Sequence, residues 1–113
     1  MRKKYYTYIL KFEDDDTGRP FYKTGETNNY ERRIAELEYR YNATCTEIFG
    51  MYVFKTEDEA LTMENKVRHT FKMTKYSRFI PKDRFKGLTD EKVTNLQDYF
   101  YRKAEEVVRF FAD

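Results

Sequence analysis

Residues 5–12, YYTYILKF, limit the fold of this chain more than any other segment. β-branched and aromatic residues fill the run, which is the composition of a strand. Side chains two apart stand on one face of a strand, so Tyr6, Tyr8, Leu10 and Phe12 share a face. The next eight residues, EDDDTGRP, bring Asp, Gly and Pro together as a turn. The three aspartates lack the spacing and closing glutamate of an EF-hand loop, so a polar hairpin loop is expected there. Residues 21–25, FYKTG, read as a second strand, antiparallel to the first.

Helices and one more strand follow. Asn28 or Asn29 can cap a helix running to about Tyr39, with Glu31 three residues after Asn28 in a capping-box arrangement. Tyr30, Ile34 and Leu37 make its apolar face, and Arg33 lies at the edge of that face. Residues 45–55, CTEIFGMYVFK, read as a third strand with Gly50 as a bulge position. Thr56 and Glu59 form a capping box for a helix over 57–72. Residues 73–88 are irregular and basic. Thr89 then caps a last helix, whose Val93, Leu96, Phe100, Ala104, Val107 and Phe111 recur at helical spacing.

A chain of 113 residues is enough for one compact domain. Eleven Tyr and ten Phe supply much of its core. The net charge of +2 excludes little, but its distribution is uneven. Residues 65–86 carry +7, which leaves −5 on the other 91 residues. Phe71, Tyr76, Phe79 and Phe85 interleave with that charge, a composition suited to a polyanion or to a solvated rim over core aromatics. A single cysteine, Cys45, excludes an internal disulfide and fits a reducing, cytoplasmic compartment. No signal peptide or transmembrane run is evident, so no membrane partner is expected.

The most informative anomaly is Glu64. In the helix over 57–72, Ala60, Val67 and Phe71 mark the apolar stripe, with Met63 at its edge. Glu64 falls inside that stripe, four residues after Ala60 and three before Val67. An ionised carboxylate facing a core is costly unless it is paired, hydrogen-bonded or metal-bound. Arg33 is the obvious partner for a buried ion pair.

Four of these features, taken in order, resemble the GIY-YIG nuclease superfamily over about residues 5–85. Tyr8, in YTYIL, stands where the family's first motif ends in tyrosine. Gly25 stands where its second motif ends in glycine. Arg33 follows Gly25 by eight residues, as the family's helix arginine does. Glu64 stands where the metal-binding glutamate lies on its own helix. Tyr6 replaces the first-motif glycine, and Lys23 takes the slot of the second tyrosine. Tyr22-Lys23-Thr24-Gly25 looks like the branch that writes Tyr-Lys-Ile-Gly here.

The resemblance implies an α+β fold: a small three-stranded antiparallel sheet flanked by helices, plus a C-terminal helix. Residues 1–88 would form the nuclease-like domain. Residues 89–113 would form an amphipathic helix packed on it or used for homodimerisation. The implied activity is metal-dependent hydrolysis of DNA, or of RNA, with Mg²⁺ or Mn²⁺ bound by Glu64. Tyr8 would act as general base, Lys23 as the cation that favours tyrosinate or binds phosphate, and Arg33 as the phosphate clamp. Tyr6, Tyr22, Gly25 and His69 are supporting candidates, the two tyrosines more for packing than for chemistry. His69 falls outside the Glu64 face and suits a surface or DNA-backbone position. Lys66, Arg68, Lys72, Lys75, Arg78, Lys82 and Arg84 would contact the nucleic-acid backbone, which gives affinity without sequence readout. The alternative is a non-catalytic module that binds nucleic acid or protein on the same scaffold; an inhibitor or decoy on that scaffold is a third reading.

Overall fold

The computed structural model describes residues 3–73, 79–81, 84–85 and 88–112. Their elements run in the order β1 (Tyr5–Asp14), β2 (Pro20–Thr27), α1 (Tyr30–Tyr41), β3 (Ala43–Phe54), α2 (Glu57–Thr70), β4 (Phe79–Ile80) and α3 (Asp90–Ala112). The result is an α+β fold with one antiparallel sheet of order β3-β1-β2-β4. The sheet has four strands rather than the expected three. The fourth, β4, is only two residues long and pairs with Tyr22 and Lys23. Two residues carry no alternation, so hydrophobic patterning could not reveal it.

β1 is the central strand and is covered on both faces. Tyr8, Leu10 and Phe12 pack with Leu37 and Ala43, flanked by Phe21, Ile34 and Tyr41, which places α1 over that face. Tyr6 meets the first residue of α1, its ring 5.1 Å from that of Tyr30. The alternation expected of YYTYILKF is thus present. On the opposite face Ile9 packs with Ala60, Met63 and Val67 of α2 and with Phe100 and Val107 of α3. The last helix therefore belongs to the same core. Each buried Ile, Met, Val or Phe of this core contributes about 1.5–3 kcal/mol. The outer face of α3 leaves Tyr101, Val108, Phe110 and Phe111 exposed, so the Phe111 end of the expected stripe is not part of the core.

The caps show which local signals decide the helix starts. Asn29, not Asn28, caps α1: its side chain accepts from the Arg32 N–H at 3.1 Å. At α2 the Thr56 hydroxyl accepts from the Glu59 N–H and the Glu59 carboxylate accepts from the Thr56 N–H. Thr89 accepts from the Lys92 N–H at the start of α3.

The outer strand β3 is interrupted twice. Its register against β1 shifts between Ile9 and Leu10 and again between Lys11 and Phe12, so Phe49 and Thr46 are the extra residues. The bulge thus falls beside Gly50 rather than on it. The Phe49 carbonyl accepts from the Gln97 side chain of α3 at 2.9 Å. Bulges of this kind break the regular row of backbone groups that makes an edge strand prone to pairing.

One hydrogen bond fixes α2 to the sheet. The buried Thr7 hydroxyl donates to the Ala60 carbonyl at 2.6 Å. Thr7→Val keeps the shape and removes the donor, so it should cost about 1 kcal/mol. A lower urea midpoint at unchanged slope would register that loss; an unchanged midpoint would show that Thr7 does not anchor the helix.

Candidate active site

A small polar cleft of about 170 Å³ is lined by Tyr8 of β1, by Lys23, Gly25 and Glu26 of β2, by Arg33 of α1 and by Leu61 and Glu64 of α2. All four principal candidates from the sequence, separated by up to 56 positions, therefore meet at one place. Beyond Lys23 the outer edge of β2 has no strand partner among the described residues. Groups from α1 on one face and α2 on the other can reach around that edge. Two apolar grooves of about 570 and 710 Å³ lie along β3 and α3 and contain none of these residues.

Tyr8 and Gly25 are paired directly across β1 and β2. Tyr8 is buried, and a Cβ on Gly25 would come within 2.7 Å of the Tyr8 ring carbon that bears the hydroxyl. Only glycine lets the phenol lie over the neighbouring strand. Its hydroxyl accepts from Arg33 Nε at 3.4 Å. Arg33 also forms an ion pair with Glu36 at 3.3 Å. The Tyr8 hydrogen bond pushes the guanidinium pKa further up against the opposing effect of burial, and the Glu36 hydrogen bond and charge add to it.

Glu64 is 3% exposed and lies on the buried face of α2 with Ala60, Met63 and Val67. Arg33, the partner expected for Glu64, is bonded instead to Tyr8 and Glu36.

Lys23 is placed differently from expectation. It is 3% exposed. Its ammonium donates to the Tyr41 hydroxyl at 3.1 Å and sits 4.6 and 4.3 Å from the ring centres of Tyr41 and Phe79. Among the described residues the cation that bonds Tyr8 is Arg33. Tyr41 and Phe79 were not singled out in the sequence as site residues, because aromatic residues are too numerous in this chain to signal a site.

Glu26 is a second carboxylate in the cleft that sequence reasoning missed. It lies on a strand end, where a lone glutamate is an ordinary solvated residue. Partial burial raises its pKa, and the charges of Glu57 and Glu64 raise it further.

The remaining candidates lie elsewhere. Tyr22 stacks on Phe85 at 3.6 Å between ring centres, on the α2–α3 face. His69 and Lys66 line a shallow depression between α2 and α3. Arg68, expected on a nucleic-acid surface, is 8% exposed and belongs to the buried face of α2. Lys72 is exposed with a positive φ of 53°. Arg84 is exposed and donates to the Phe71 carbonyl. Lys75, Arg78 and Lys82 lie outside the described residues.

The carboxylates that line the cleft, and so could hold a metal ion there, are Glu26 and Glu64. The charge of Glu64 adds to the raised pKa of Glu26 across their shared cleft, and Mg²⁺ commonly takes one or two carboxylates with water and phosphate completing its shell. Among the described residues no group of three or more His, Cys, Asp or Glu side chains could hold a metal ion. No helix among the described residues is long and apolar enough to cross a membrane. No family model matches the chain, and neither a curated protein nor a solved structure matches it.

The raised Glu26 pKa has a definite consequence for stability. A carboxyl whose folded pKa exceeds its unfolded value destabilises the fold once pH rises above the unfolded value, and has no effect well below it. Glu26→Gln should therefore raise the melting temperature at pH 7, with the gain lost below about pH 4. A melting temperature at pH 7 that stays level or falls would contradict the crowding of carboxylates at this site.

Proposed function

We propose that the chain is a metal-dependent endonuclease of the GIY-YIG type that hydrolyses DNA phosphodiester bonds. The observation that carries this reading is the meeting of Tyr8, Lys23, Gly25, Arg33 and Glu64 in one polar cleft. Those residues were selected by motif order alone, and a chance selection from four elements would scatter over the surface.

In this reading Glu64, with Glu26 beside it, would hold a Mg²⁺ or Mn²⁺ ion. Such an ion supplies Lewis-acid polarisation of the scissile phosphate and stabilisation of the leaving oxygen. The chain's own groups do the rest. Tyr8 Oη takes the proton of the attacking water. An unperturbed phenol, with a pKa of about 10, is a poor base near neutral pH. The neighbouring Arg33 guanidinium favours the anionic phenol. Arg33 retains donors for a phosphate oxygen as negative charge builds in the transition state. Lys23 adds a second positive charge on the cleft wall. Gly25 leaves the space that the Tyr8 ring occupies. The exposed aromatic and aliphatic side chains on the outer face of α3 support a homodimer, which would offer two such clefts to two strands.

Supercoiled plasmid incubated with the protein and Mg²⁺ or Mn²⁺ tests the reading. Nicking or linearisation is expected, abolished by EDTA and by Glu64→Gln. Arg33→Ala should lower kcat by about 10²–10³-fold, the usual cost of losing one preorganised electrostatic donor. Absence of cleavage by the wild type with either metal, together with DNA binding that survives Glu64→Gln, would replace the nuclease with a non-catalytic binding module.

A further inference from the structure

Lys23 presents an electrostatic problem that the fold leaves open. Its ammonium is almost fully withdrawn from water, and a buried cation is costly unless opposite charge compensates it. No carboxylate pairs with it among the described residues. Its partners are one phenol oxygen and two ring faces. These interactions orient the ammonium but do not neutralise it. The same residue lines the cleft that contains Arg33.

The surroundings are built for orientation. Phe79 stands directly opposite Lys23 across β2 and β4. Tyr41 closes α1, and its ring meets Phe79 edge-on at 5.3 Å. Phe21 contacts both rings and stacks on the buried Phe12. The three rings thus link the lysine's surroundings to the core under α1.

We infer that Tyr41, with Phe79, is a positioning residue that holds Lys23 at the cleft wall as an anion-binding group, whose counter-ion is a phosphate of the ligand rather than a carboxylate of the protein. The inference rests on the nuclease reading for the identity of that phosphate, but not for the existence of the anion site. Its partner chemistry is a phosphate oxygen taken without help from a metal. Lys23 in turn draws the Tyr41 phenol below its ordinary pKa, first through their hydrogen bond and then through its charge, with Arg40 adding to the effect. The pair is therefore polarised as a unit.

The experiment is a titration of the full chain with inorganic phosphate in EDTA, followed by NMR of [13C]lysine-labelled protein. The Lys23 ε-methylene signal is assigned by its loss in Lys23→Met. In the wild type that signal should move as phosphate is added. Tyr41→Phe keeps the ring and removes only the hydroxyl; it should weaken the apparent phosphate affinity by about fivefold, the effect of one hydrogen bond. Phe79→Leu, which leaves the hydroxyl in place, should also weaken it. Lys23→Met combined with Tyr41→Phe should bind phosphate no worse than Lys23→Met alone. A Lys23 signal indifferent to phosphate, an unchanged affinity in Tyr41→Phe, or additive losses in the double variant would each overturn the inference. Cleavage plays no part in this readout. A phosphate response in a protein that never cuts DNA would remove the nuclease reading and leave the anion site standing.

Discussion

The contact of Tyr8 with Gly25 joins the fold to the site. Tyr8 belongs to the core under α1 and also lines the cleft. A side chain at position 25 would displace its ring, and with it the hydroxyl that Arg33 bonds. The strand pairing that sets the sheet register also sets the position of the phenol, because Tyr8 and Gly25 are direct partners across β1 and β2. A one-residue slip would turn Tyr8 to the other face.

From that contact the layered architecture explains the rest of the cleft. β1 is buried on both faces, so α1 and α2 must lie on opposite sides of the sheet. Arg33 and Glu64 therefore approach from opposite faces, and the outer edge of β2 is where they converge. Among the described residues β4 pairs with β2 only as far as Lys23. Two carboxylates and two cations collect around one small volume. The set brings both signs of charge into one cleft. It suits a ligand that carries both a phosphate and a divalent cation.

Much of this was legible in the sequence, for local reasons. Thr56 and Glu59 cap α2 because both sides of that interaction lie within four residues. Tyr8, Leu10 and Phe12 declare a face because strand periodicity is two. Glu64 stood out because an acid within an apolar stripe has no local explanation. Features that depend on distant chain segments stayed hidden. Lys23 was expected to serve Tyr8 or a phosphate, and its enclosure by Tyr41 and Phe79, 18 and 56 positions away, depends on the folded chain. Glu26 gained meaning only when α2 brought Glu57 and Glu64 near it. Arg68 shares its basic segment with the exposed Lys72, but α2 turns it toward the core. Asn28 and Asn29 are equivalent caps by composition, and only backbone geometry separates them.

The most direct measurement is a crystal structure of the protein with a short DNA duplex and Mn²⁺, read through the anomalous signal of the metal. An anomalous peak within bonding distance of the Glu64 carboxylate is expected, with a DNA phosphate between that ion and Arg33. A peak that falls elsewhere, or DNA seated away from the cleft, would contradict the assignment of this site to phosphodiester hydrolysis.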